Sequence, residues 1–388
     1  MSKKIKYIVA AVLAAVVCAA VIFTINRKKS GINMNVGELS GDEQNYWNPD
    51  IHSISKAENG YYYLHYDGKD LLVKYFDESS KRSVPVCAKA ECSHNSKTCN
   101  AWLDTDEYLS SPIYYYKNNI YVVRVEGGMA KLVSIKADGS DRKDVANLFA
   151  NDRITSISMF HNGYVYAYDH IGHIGSSESG KEIIKKINIS DGNSQDIVEY
   201  EGENSAVMGA RSYGDKLFYK IFQYSVNKQT LKANMNFQLY YYDYTDGENK
   251  KVSDMNICDF CVDADNGMLY YFVVGKGLYS QSLDGQNNKL IYKASENMVS
   301  AVMSYDGRYI YMSNGGMGST TDLSKTVERE IQVVDTTGKQ IDTIKLGNEI
   351  ENLYFGDEKY LFGTKSDKLV YIDKSSLGNG ACVWENAE

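Results

Sequence analysis

The residues best equipped for chemistry lie between Cys87 and Cys99, where CAKAECSHNSKTC gives the order C-x4-C-x-H-x4-C. Three thiols and one imidazole make a Cys3His set, which tetrahedral zinc accepts as a closed structural site. The spacing departs from the C-x2-C of common fingers and knuckles. In an oxidising compartment a disulfide among Cys87, Cys92 and Cys99 would staple the same segment, with His94 a bystander. Both alternatives stand at this stage, because a link with so little apolar content needs a staple of one kind or the other.

Other motifs are weaker. Asp169, His170 and His173 bracket the letters HIGH, a nucleotide-binding signature of class I aminoacyl-tRNA synthetases. That signature works at a helix start in a Rossmann-type domain; here it falls in a loop between strands, so the match is coincidental. The three side chains remain a candidate ligand-binding or divalent-metal group. Trp102 joins them as a candidate contact because it lies on the Cys-rich link. Cys258 and Cys261 form a C-x-x-C in a strand, with no helix start to lower a thiol pKa. Odd spacing along a strand predicts that they face opposite ways. Asp263, Asp265 and Gly267 open like an EF-hand loop, but position twelve is Val274 and a strand follows, so a hairpin turn is the better reading. No G-x-S-x-G, Walker loop or dinucleotide glycine fingerprint occurs.

The elements that must position these residues are β-hairpins. The chain holds 33 Tyr and 31 Gly against 3 Pro, a balance of strand formers and turn formers. Tight turns recur at Glu58-Asn59-Gly60, Lys117-Asn118-Asn119, His161-Asn162-Gly163, Tyr213-Gly214-Asp215, Asp265-Asn266-Gly267, Tyr305-Asp306-Gly307 and Gly356-Asp357-Glu358, each followed by an aromatic-rich alternating run. A second series, including Asp138-Gly139, Asp191-Gly192, Asp246-Gly247, Thr337-Gly338 and Leu377-Gly378, joins a third strand to a fourth. The unit is a four-stranded antiparallel meander of about 48 residues, the period of a propeller blade. Seven copies predict an all-β, seven-bladed β-propeller over 51–388, with a Cys/His-rich inter-blade insertion at 87–107. No blade is split between the chain ends. The ring closes either by packing of blade seven on blade one or with an added strand from Tyr46 and Trp47.

Residues 1–29 read as a membrane anchor. Tyr7 to Ile25 is an uncharged run of 19 residues flanked by three basic residues on each side, long enough to span a bilayer core. A cleaved signal peptide is the rival; its apolar region is usually shorter. Cys18 is a buried apolar Cys in this helix rather than a lipidation site. Residues 30–50 form a flexible tether. Six of the 42 lysines and arginines lie in residues 1–29, leaving 36 basic against 50 acidic residues beyond. An acidic surface of that kind repels nucleic acid.

The stretch MSYDGRYIYM at Met303 resembles the S-x-D-G-x-x-I-Y repeat of TolB-type, WD40-like propellers, with Tyr305 where the repeat usually has Pro. The whole chain also resembles membrane-tethered propellers of Gram-positive gut anaerobes, whose first blade is followed by a Cys-rich segment similar to CAKAECSHNSKTCNAWL. The resemblance implies a tethered propeller and carries no activity with it.

In a propeller the first-to-second and third-to-fourth turns share one face. All fourteen are expected to be short. The opposite face carries His170 to Lys181, Gln223 to Met235, Ser313 to Val327 and the link Cys87 to Glu107, so ligand binding is sought there. The expectation is a single-pass membrane protein with its propeller outside the cell. It would bind a protein, peptide or glycan ligand, without chemistry of its own. The alternative is a hydrolase or lyase whose site is assembled from several blades, with Asp169, His170, His173 and His94 as its residues. A third possibility is a sensor whose membrane helix pairs through the small-residue stripe Ala10, Ala11, Ala14 and Ala15.

Overall fold

The computed structural model describes residues 52–388 apart from 109–110, 151–155, 170–171, 173–178, 214–215, 227–232, 245, 264–265, 284–286, 315–328 and 381. The expected anchor at Tyr7–Ile25, the tether at 30–50, and His170 and His173 lie outside the described residues. Among the described residues no helix is long and apolar enough to cross a membrane.

The chain forms seven antiparallel sheets in succession, each a meander of four strands, and the seven build a β-propeller. Blade one consists of β1 (Ile54–Ala57), β2 (Gly60–Tyr66), β3 (Leu71–Asp77) and β4 (Arg82–Pro85), and blade two covers Ile113 to Ala150. Turn chemistry fits the sequence. Lys117 and Asn118 both have positive φ, as do Gly127 and Gly128, which is the geometry of the tight primed hairpin turn.

Aspartates at the first-to-second turns of blades five, six and seven join each of these blades to the next. In blade six, Asp306 accepts the Arg308 and Tyr309 amides on one oxygen at 2.9 and 2.7 Å. Its other oxygen takes the Tyr311 hydroxyl at 2.6 Å and the Lys374 ammonium of blade seven at 2.9 Å. Asp357 in blade seven caps its own turn through the Lys359 amide at 2.9 Å. It then accepts the Tyr61 hydroxyl of blade one at 2.6 Å and pairs with Lys56 at 2.7 Å. Asp263 in blade five likewise accepts the Tyr305 hydroxyl of blade six at 2.9 Å. One carboxylate thus fixes a turn and grips the next blade.

The seam between blades seven and one is one instance of this device, so no split blade is needed. Around it Tyr61 packs on Phe362 at 4.7 Å and Phe76 on Tyr371 at 5.6 Å; such pairs add about 0.5–1.5 kcal/mol each beyond area burial. The Ser83 hydroxyl also donates to the Ala387 carbonyl at 2.7 Å. Blade seven thus packs directly on blade one; Tyr46 and Trp47, the other closure expected from the sequence, lie outside the described residues.

Three expectations need correction. The third-to-fourth connection of blade seven is long, running from Asp373 to Glu385 through a 3-10 turn at Lys374–Ser376. Its Leu377, Cys382 and Trp384 reach back to cover the core between blades six and seven. The described residues of Gln223 to Met235 are strand: Lys216–Val226 and Ala233–Asp243 pair up to Val226 opposite Ala233, forming a tall rib in blade four. The ladder thus continues past Gln223 as far as the pair Val226–Ala233. Cys258 and Cys261 share one face rather than two. A bulge leaves Cys258 between the pairs Ile257–Val273 and Asp259–Phe272, which resets the alternation and sends both sulfurs into the core between blades five and six.

Candidate functional site

The Cys-rich segment is not an inter-blade link. β3 pairs with β4 from Asp77–Arg82 to Lys74–Pro85, and the same edge then continues with Leu72 opposite Trp102 and Leu71 opposite Leu103. Between these pairs Val73 accepts the Val86 amide at 2.9 Å and donates its own amide to the Ala101 carbonyl at 2.8 Å. The outer strand of blade one is therefore interrupted, and residues 87–100 are looped out from a single point, with Trp102–Leu103 (β5) resuming the strand. A closed excursion of this length with adjacent ends is an Ω-loop. The true link to blade two begins with the helical turn Thr105–Tyr108.

The loop also lies elsewhere than the loop-rich face. Asn100 donates to the Gly139 carbonyl at 2.8 Å, in the third-to-fourth turn of blade two, and Arg142 donates to the Trp102 carbonyl at 2.6 Å. Gly139 is required there. Its φ is +76°, and a Cβ would stand 2.5 Å from the Val86 carbonyl oxygen. The loop hangs from the perimeter of the wheel, against a turn of the opposite, short-turned side.

Within the loop, local turns fold the chain on itself. The Cys99 amide donates to Ser96 O at 2.9 Å, His94 has a φ of +55°, and the Lys89 ammonium donates to the Thr98 carbonyl. Cys87, Cys92, His94 and Cys99 place their ligand atoms within 4.8 Å of one another. The Nδ1 of His94 is 3.4 Å from the Cys99 sulfur. The His94 amide points at the Cys92 sulfur and holds that thiol below its usual range, while burial pushes the Cys99 thiol up to about 11. None of the six described cysteines is in a disulfide.

Trp102 is half-buried rather than a free contact. Its indole N–H donates to Asp70 at 2.9 Å, because the residue sits in a strand and not in the link that the sequence suggests. Asp169 ends the second strand of blade three and accepts the Gly172 amide at 3.4 Å.

A second concentration of charge was not legible in the sequence. In the first two strands of blade four, Arg211 and Lys220 reach Asp259 of blade five at 3.5 and 3.2 Å, all three fully buried. Asp259 also accepts the Met303 amide of blade six at 2.7 Å, and Lys220 donates to the Cys258 carbonyl at 2.7 Å. Burial pushes the Asp259 carboxyl up, but Arg211 and Lys220 outweigh it and hold the group below its ordinary range. The triad stitches three blades together.

The described imidazoles are dispersed. His52 donates from Nδ1 to the Ile113 carbonyl at 2.8 Å and stacks on Tyr114; His65 pairs with Glu388; His161 stacks on Tyr244; His94 belongs to the Cys group.

No family model matches the chain, and no curated protein does. Solved structures match in shape. A chain of the mitotic checkpoint complex aligns with a TM-score of 0.53 at 9% identity, over 90% of this chain and 98% of that one. An oligogalacturonate lyase from Vibrio parahaemolyticus gives 0.46 at 9% identity, over 69% and 74%. A putative TolB from Agrobacterium tumefaciens gives 0.38 at 13% identity, over 61% and 78%. At such identities the likeness concerns the fold alone: the chain is a seven-bladed β-propeller.

Proposed function

We propose that the chain is a membrane-anchored, TolB-like propeller, displayed outside the cell on the Tyr7–Ile25 helix, that binds a protein, peptide or glycan through its loop-rich face without turning it over. One observation carries this reading. Outside the Cys87–Cys99 loop, the buried charged groups and the described imidazoles serve the wheel itself: Asp259, Asp306 and Asp357 in blade-to-blade grips, and His52, His65 and His161 in seams and stacking. Functional contacts then fall to the loop-rich side, where Asp169, His170, His173 and the blade-four rib are the proposed contact residues. That rib presents Tyr224 half-buried and Val226 exposed.

The test is to shorten the rib by replacing residues 224–235 with Asn-Gly and to compare binding on glycan and peptide arrays. Loss of a wild-type array signal with an unchanged melting temperature supports the reading. Hydrolase or lyase turnover that the same change abolishes would replace it with the enzyme alternative.

A further inference from the structure

We infer that Cys87, Cys92, His94 and Cys99 hold a structural zinc ion, and that this ion is the core of the Ω-loop that interrupts the outer strand of blade one. Between residues 88 and 98 every side chain is exposed except Cys92 and His94. At the two ends Cys87 is half-buried and Cys99 buried. The loop thus turns inward its potential ligands and no apolar side chain, so the hydrophobic effect has nothing there to act on. Something else must offset the entropy of ordering it.

The geometry fits a tetrahedral ion. With sulfur at about 2.3 Å and nitrogen at about 2.0 Å from zinc, neighbouring ligand atoms stand about 3.5–3.8 Å apart. The His94 Nδ1 to Cys99 Sγ distance of 3.4 Å matches such an edge, and the four ligand atoms lie within 4.8 Å of one another. A disulfide would bring two sulfurs together and give the third thiol and the imidazole no reason to converge on them. The backbone amides of His94 and Ala101 lie beside the Cys92 and Cys99 sulfurs, the kind of surroundings that suit thiolate ligands, and the Trp102 amide donates to the Cys99 carbonyl at 3.3 Å. Three thiolates on a divalent ion leave one net negative charge, and Lys89 stands beside it. Thiolate-rich tetrahedral sites select zinc over the oxygen-seeking cations, and four protein donors leave no open position for catalysis. Both ends of the loop meet at Val73, and Asn100 with Arg142 ties its closing turn to blade two. The ion therefore fixes the blade-one edge to the blade-two turn. This inference is independent of what the loop-rich face binds.

The test uses the full-length chain purified without chelators. Elemental analysis should give about one zinc per chain, retained in Cys382→Ser and lost in Cys92→Ser and His94→Gln. Should either variant fold poorly, the wild-type chain answers alone: a strong chelator should release the ion, unmask three thiols to a thiol reagent, and open trypsin sites at Lys89 and Lys97. Zinc content unchanged by Cys92→Ser, thiols that react equally with and without chelator, or a disulfide among Cys87, Cys92 and Cys99 in non-reducing peptide mapping would each overturn it.

Discussion

Two groups of cysteines in this chain show how neighbours decide what a thiol does. Cys258 and Cys261 sit in the dense core between blades five and six, where burial pushes the Cys258 thiol up to about 12 and Cys261 higher still. Cys258 is absorbed into the backbone network, accepting the Ala301 amide at 3.4 Å. Cys87, Cys92 and Cys99 occupy a loop with no core, and there the sulfurs converge with an imidazole. The blade-five region is stabilised by packing and by the buried Asp259 triad. The loop has neither, which is why it needs an ion.

That contrast predicts global effects from the first region and local ones from the second. The largest belongs to Asp259→Ala, which leaves Arg211 and Lys220 buried without their carboxylate; chemical denaturation should show a loss of about 3–5 kcal/mol. A loss below about 1 kcal/mol would mean that water reaches the triad. His52 supplies a pH-dependent effect on the seam between blades one and two. Burial, opposed by the bond to Ile113, holds its imidazole at about 4. The unfolded chain takes up a proton near pH 6.5. The folded chain resists protonation until about pH 4, so His52 contributes its full stability above pH 6.5 and loses it as the pH falls through that window. The total is about 3 kcal/mol. His52→Asn should flatten this part of a stability-versus-pH curve, and an unchanged curve would refute the assignment.

Cys261→Ser places a hydroxyl among apolar groups and should cost about 1–3 kcal/mol without adding any protease site. Cys92→Ser should do the reverse, leaving ring stability within about 1 kcal/mol of wild type while trypsin cuts at Lys89 or Lys97. If both substitutions gave the same pattern, the two regions would not differ as described.

The wheel was legible because it repeats. Seven turn-and-aromatic units carry their own register, and the Asp of MSYDGRYIYM recurs because one carboxylate caps a turn and holds the following blade. The interruption of blade one left no such signal. Its two halves, Arg82–Pro85 and Trp102–Leu103, are too short to show alternation, and only their shared partner β3 reveals them as one strand. The Arg211–Asp259–Lys220 triad joins residues far apart in the chain, each of which reads alone as an ordinary surface charge. A one-residue bulge at Cys258 inverted the expected facing of the C-x-x-C, since period-two reasoning fails wherever a residue is skipped.

The most direct measurement is X-ray absorption at the zinc edge of the purified full-length chain. A first shell of about three sulfurs near 2.3 Å with one nitrogen near 2.0 Å is the expected result. A shell made only of oxygen and nitrogen would place the metal elsewhere and leave the Ω-loop without its core.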